Sequence, residues 1–277
     1  MDFGDEKNNR MKKGHGSKPL NNFHFDFSLP ADENGGCLIL SDQELKVRQA
    51  VIDQVIEAFA LEPSLSGVVH GRRRIQLGKR GSSRSGLFPS RKNAIGGLGA
   101  IYMPMDSRPE ARYAMELERS GNISGFRTQA VEVTLPGSKR SVFPDFLVRD
   151  THGRVGLHEV KADKRYLGRQ DWEDFGHLAS KLERWGIGFQ IVDLHDMPSD
   201  SKYRILQWLH QRVQSIPDEF ELAALIEIEF GRSTYGDLRS TCREIGLCES
   251  VLAYALFTEL LQVDMEKNLD DDSEVWQ

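Results

Sequence analysis

Apolar residues after Ser41 fall on a helical period. Val47, Val51, Val55, Ile56 and Phe59 line one face, and Ser41-Asp42-Gln43-Glu44 has the reciprocal Ser/Glu pattern of a capped helix start. The spacing predicts a helix that stops before Pro63. A second helix is predicted from Ser107 to about Ser120, closed by Gly121. The pattern then turns strand-like in three runs, Phe126 to Leu135, Ser141 to Arg149 and Val155 to Lys161. Helical spacing returns from Arg169 to Trp185, with Trp172, Phe175, Ala179 and Leu182 on one face. Gly188 to Leu194 reads as a short apolar strand and Ser199 to Ser215 as a helix. Helix, β-meander, helix, strand, helix is the order of an α/β core, a mixed sheet flanked by helices.

Outside that core the pattern weakens. Residues 1–40 offer little to bury and are expected to form a flexible arm. Pro217 opens a helix-rich part with segments at Phe220 to Phe230, Tyr235 to Ile245 and Glu249 to Gln262, the outline of a helix-turn-helix or winged-helix module. Asp264 to Gln277 is acidic and expected to fray. The division is therefore 1–40, 41–215 with a basic segment at 63–105, and 216–277.

Composition adds exclusions. The chain is 39% hydrophobic and 28% charged over 277 residues, ordinary for a folded globular protein. No run is long enough for a membrane span, and Met1 to Asn22 lacks the apolar core of a signal peptide. Cys37, Cys242 and Cys248 have no paired spacing, which argues against a disulfide framework or a zinc ribbon and predicts buried thiols. The expectation is a cytoplasmic protein with no membrane partner.

The net charge of −6 conceals an asymmetry. Residues 217–277 carry four basic and fifteen acidic side chains, a balance of −11, which leaves +5 for residues 1–216. Pro63 to Met105 holds no acid but eight cations: Arg72, Arg73, Arg74, Lys79, Arg80, Arg84, Arg91 and Lys92. Read as a loop or loose hairpin, this segment either tracks a DNA backbone or is a solvated loop; eight cations without one acid favour phosphate.

The chemistry concentrates in one hairpin. Phe143 to Arg149 and Arg154 to Lys161 flank the turn Asp150-Thr151-His152-Gly153. A turn centred on His152 sets Asp145 across from Glu159, and alternation puts Glu159 and Lys161 on one face, with His158 on the other. Two carboxylates can hold Mg²⁺, with Mn²⁺ as a substitute, and a lysine beside them can orient a water or neutralise a phosphorane. The competing reading is a cross-strand salt bridge on a solvated face. The apolar flank of Phe143, Phe146, Leu147, Val148, Leu157 and Val160 argues against it, because buried charges are costly.

Pro144-Asp145 followed by Glu159-Val160-Lys161 resembles the PD-(D/E)XK nuclease motif. Upstream stand Ser107-Arg108-Pro109-Glu110-Ala111-Arg112-Tyr113, Leu117-Glu118 and Phe126-Arg127-Thr128-Gln129-Ala130. In this order they resemble the TnsA family, the endonuclease subunit of heteromeric cut-and-paste transposases, most clearly over Ser107 to Ala162. Ala130 stands where the family usually has Pro, and the basic segment before Ser107 is longer than the family's. The resemblance implies a restriction-endonuclease-like core with a winged-helix-like C-terminal domain. It implies a Mg²⁺-dependent endonuclease that nicks the 5′ ends of a transposon. Asp145 and Glu159 would bind metal, Lys161 would be the catalytic lysine, Glu110 would complete the acidic site and the Val160 carbonyl would be a further ligand. Partners implied are double-stranded DNA at transposon ends, a TnsB-like transposase and, through the C-terminal domain, a TnsC-like AAA+ ATPase. Glu110 has a competing role as the capping-box acid of its own helix, and Gln129 either supports the site or bonds within the sheet. Alternatives are a PD-(D/E)XK nuclease of restriction, repair or phage defence, and a non-catalytic DNA-binding assembly protein.

Overall fold

A computed structural model describes residues 24–31, 35, 38–75, 85–93, 99–135, 141–228 and 231–277. Lys79, Arg80, Arg84 and Cys37 lie outside the described residues.

Helix α1 spans Asp42–Ala60 with its capping box formed: the Glu44 N–H donates to Ser41 Oγ, and the Ser41 N–H donates to the Glu44 carboxylate. Strands β1 (Gly86–Ser90) and β2 (Ile101–Met105) form an antiparallel ribbon, so this end of the basic segment is a hairpin. Helix α2 spans Arg108–Arg119 and is capped by Ser107. Strand β3 is Ile123–Thr128, β4 Val133–Thr134, β5 Ser141–Val142, β6 Phe146–Asp150 and β7 Val155–Val160. Then come α3 (Arg169–Arg184), β8 (Gly188–Val192) and α4 (Asp200–Arg212). The central sheet has the order β3-β6-β7-β8, antiparallel except for the β7–β8 pair.

Alternation along the strands builds two cores. Phe126, Phe146, Val148 and Val160 point toward α2 and α4, where Tyr113, Ala114, Leu117, Leu206 and Leu209 meet them. Leu147, Val155 and Leu157 point the other way, onto Val51, Val55 and Phe59 of α1 and Leu178 and Leu182 of α3. The mixed α/β architecture agrees with the expectation from the element order.

Two expected strands are broken within their apolar runs, and one helix face is shifted. Phe126 to Leu135 breaks at Gln129, whose φ of 49° cannot continue a pleated strand. Ser141 to Arg149 breaks at Phe143-Pro144, where proline has no N–H to give a ladder. In α3 the buried residues are Leu178 and Leu182, and Trp172 is 47% exposed, so the inward stripe is rotated from the expected face.

The C-terminal part contains α5 (Glu219–Ile226), β9 (Arg232–Thr234), α6 (Tyr235–Glu244), α7 (Glu249–Phe257), β10 (Gln262–Val263) and β11 (Glu274–Trp276). The strands form an antiparallel sheet with β11 in the middle. The tail therefore does not fray: Val275 is fully buried and Met265 is in the core. Part of the N-terminal arm is also packed. The Asp26 N–H donates to the Gly153 carbonyl at 2.8 Å, and Phe25 stacks with Phe27 and tilts against Phe59. Cys242 is buried as expected, but Cys248 is exposed, at the α7 N-cap. No helix among the described residues is long and apolar enough to cross a membrane.

Candidate active site

The site grows from the β6–β7 hairpin. Its register pairs Phe146 with His158 and Arg149 with Val155. Gly153, at φ 86°, supplies the left-handed turn residue, and a Cβ there would press on His24. Continuing the register by one residue sets Asp145 opposite Glu159, the alignment that the turn position predicts.

The ladder ends at that point, and Asp145 takes over the freed groups. The Val160 N–H donates to Asp145 Oδ2 at 2.8 Å instead of to a carbonyl. Gln129 Nε2 donates to Asp145 Oδ1 at 2.9 Å, and the Gln129 N–H donates to the Asp145 carbonyl at 2.9 Å. The left-handed turn at Gln129 thus folds the end of β3 back onto Asp145. Of the two readings for Gln129, the side-chain bond favours support of the site. The N–H and C=O of one strand residue point to the same edge, so the Val160 carbonyl also faces the Asp145 side.

Glu159 and Lys161 share the α3 face. Lys161 Nζ donates to Glu159 Oε1 at 2.6 Å and lies 5.4 Å from the centre of the Phe175 ring. The other oxygen, Glu159 Oε2, is buried without a hydrogen-bond partner, as is Gln129 Oε1. Burial, then the charges of Glu159 and Glu110, push the Asp145 carboxyl up to about 8; the Val160 N–H and Lys161 oppose this only in part.

Glu110 is placed differently from the expected third ligand. It is buried, but its oxygens are taken by the Asp106 N–H at 2.8 Å and by the Ser107 hydroxyl at 2.8 Å. These are capping bonds, so the local role has priority, and Glu110 reaches Asp145 through its field. Burial also raises the Glu110 carboxyl. Among the described residues no group of three or more His, Cys, Asp or Glu side chains could hold a metal ion. The available donor set is two carboxylates and a carbonyl, which leaves room for waters and phosphate oxygens.

His158 lies on the opposite face, as alternation predicts. Its Nδ1 is 2.6 Å from the Tyr113 hydroxyl, and burial pulls the imidazole down to about 4, so it stays neutral.

The basic segment divides. Arg72 pairs with Glu57 at 2.5 Å, Arg73 pairs with Asp106 at 3.2 Å, and Arg74 is exposed. Arg91 and Lys92 are not free DNA contacts. Glu118, buried, accepts from the Arg91 N–H at 2.7 Å, the Lys92 N–H at 3.1 Å and the Ser90 hydroxyl at 2.6 Å. Lys92 Nζ is spent on the Leu117 and Ser120 carbonyls at 2.9 and 2.5 Å, and burial lowers it to about 8. Sequence reading missed Asp106 and Phe175 as neighbours of the site. Asp106 sits one residue before the Ser107 cap, and helical spacing had already put Phe175 on α3.

No protein-family model matches the chain, and a search of the curated proteins gives no match. What the site does must come from its chemistry.

Proposed function

We propose that this protein is a metal-dependent DNA endonuclease whose centre is Asp145, Glu159 and Lys161. The observation that carries the reading is the buried, partnerless Glu159 Oε2, whose carboxylate lies near enough to Asp145 to act on it by charge. An orphaned buried carboxylate oxygen costs stability, and a divalent cation would offset that cost. Asp145, Glu159 and the Val160 carbonyl would hold Mg²⁺, or Mn²⁺ in its place. The ion, when bound, lowers the pKa of a water and offsets charge at the phosphorus centre. Gln129 fixes the Asp145 rotamer through the 2.9 Å bond. Lys161 presents an ammonium beside Glu159, where it can donate to an attacking water or to a non-bridging phosphate oxygen. With its carboxyl held up to about 8, Asp145 gives up a proton as the cation binds, so loading should be pH-dependent.

The finer reading is a TnsA-like subunit that nicks the 5′ ends of a transposon beside a TnsB-like transposase. Support comes from the order of the Ser107–Glu110 helix start, Gln129, Asp145 and the Glu159–Lys161 strand. The order α5, β9, α6, α7, β10, β11, with the three strands in one small antiparallel sheet, supports a winged-helix-like reading of the C-terminal part. Its charge argues for a protein partner over DNA, since phosphate would be repelled, and a TnsC-like AAA+ ATPase fits. The test is Mg²⁺-dependent cleavage of DNA carrying transposon ends, with and without partner proteins. Asp145→Ala and Lys161→Ala should each lower cleavage at least about a hundredfold. Retained 5′-end cutting by both variants would overturn the proposal; cutting without partners would point to a stand-alone nuclease.

A further inference from the structure

The chain between Gly67 and Arg73 runs along the edge of β2 and then past the end of β3. It is pinned along β2, where the Tyr102 N–H donates to the Gly67 carbonyl and the Val69 N–H to the Tyr102 carbonyl, each at 2.9 Å. It then crosses the end of β3. Gly71 lies so close to the Thr128 and Gln129 carbonyls that a Cβ would collide with both. Two residues on, the Arg73 N–H donates to the Gln129 carbonyl at 3.3 Å. Gln129 is the residue that holds Asp145, so Arg73 is tied by its backbone to the support of the candidate metal site.

Its side chain lies on the Asp106 side, close enough for its charge to act on Glu110. The Arg73 guanidinium meets Asp106 Oδ2 at 3.2 Å, and the Asp106 N–H is bonded to Glu110. Both partners of this ion pair are well exposed, at 50% and 37%. Such a pair contributes little and is readily exchanged. A guanidinium can instead take two oxygens of a phosphodiester at once.

We propose that Arg73 contacts the backbone phosphate of duplex DNA next to the Asp145–Glu159 centre, and that Asp106 holds the guanidinium in place until DNA displaces it. This rests on the nuclease reading and singles out one residue of the basic segment. Arg72 is directed to Glu57, the Lys92 ammonium is held by the Leu117 and Ser120 carbonyls, and Arg91 Nη1 is buried.

The test is a double-mutant cycle on the full chain. Binding of a short fluorescent DNA duplex is measured against salt for wild type, Arg73→Ala, Asp106→Asn and the double variant, with Ca²⁺ present. Arg73→Ala should weaken binding by about tenfold and reduce the salt slope by about one. Asp106→Asn should tighten binding when Arg73 is present and leave it unchanged when Arg73 is absent. An equal gain in both backgrounds would mean general charge removal and would overturn the proposal, as would unaltered binding by Arg73→Ala or no binding by wild type. Mg²⁺ nicking measured in parallel judges the nuclease reading separately: binding that follows the cycle without cleavage keeps the phosphate contact and removes the chemistry.

Discussion

Replacing Asp145 with Asn should make the protein more stable at pH 8 while removing a group its proposed chemistry needs. The Asp145 carboxyl is raised from 3.8 to about 8, first by burial and then by Glu159 and Glu110. Below pH 3.8 the group is neutral in both folded and unfolded chains, and its contribution to stability is intact. As pH rises, the unfolded chain loses the proton while the folded one keeps it, so stability falls until pH passes about 8. A buried charge left without compensation costs about 3–5 kcal/mol. Glu159 and Glu110 keep their own burial and repulsion in the variant, so the lower end, about 3 kcal/mol, should be recovered. The amide fits. Its oxygen can accept from the Val160 N–H, and its NH₂ can donate to Gln129 Oε1, which is buried without a partner, once the Gln129 amide turns over. Thermal unfolding across pH 4–8 is the assay. At about 2–4 °C per kcal/mol, Asp145→Asn should melt about 6–12 °C above wild type at pH 8 and level with it near pH 4. Added Mg²⁺ should raise the wild-type midpoint and leave the variant nearly unmoved. A variant less stable than wild type at pH 8, or a difference that does not change with pH, would refute the electrostatic argument.

Glu118→Ala should cost about 3–5 kcal/mol in denaturant unfolding, because it strands the Ser90 hydroxyl and the Arg91 and Lys92 N–H groups. His210 stacks between Phe88 and Phe257, each ring centre 5.3 Å away, with Nε2 buried and partnerless. Burial lowers it to about 3, so wild type loses stability as pH falls below about 6.5, where the unfolded imidazole takes a proton the folded one refuses. His210→Phe should remove that acid loss, which melting at pH 7 and pH 5 will report.

The hairpin was legible because a Gly-containing turn fixes register, and register fixes which carboxylates face each other. Capped starts at Ser41 and Ser107 were legible for the same local reason. The sequence could not convey that Gln129 turns left-handed, since its neighbours read as a continuous strand and only the bond to Asp145 rewards the turn. Arg91 and Lys92 looked like free cations because the end of α2 that buries them, with Leu117, Glu118 and Ser120, is more than twenty residues away in the chain. Strands β9, β10 and β11, of two or three residues each, are too short to show alternation. Phe25 and Phe27 alternate with polar residues in a short piece of the arm, and their partial burial depends on Phe59 of α1 and Arg149 of β6, both remote in the chain.

One apolar cluster runs without a break from Phe126 and Phe146 of the central sheet, through Leu206 and Leu209, to Leu252, Leu256 and Val275 at the far end of the chain. Arg119 reaches across to Glu259 at 2.6 Å, and the Gln214 N–H donates to Ser250. The acidic C-terminal part is therefore no bead on a string. Whatever grips it also grips the frame on which Asp145 and Glu159 are mounted, so a partner bound there would act on the two carboxylates as a hand on a handle acts on the tool's far end.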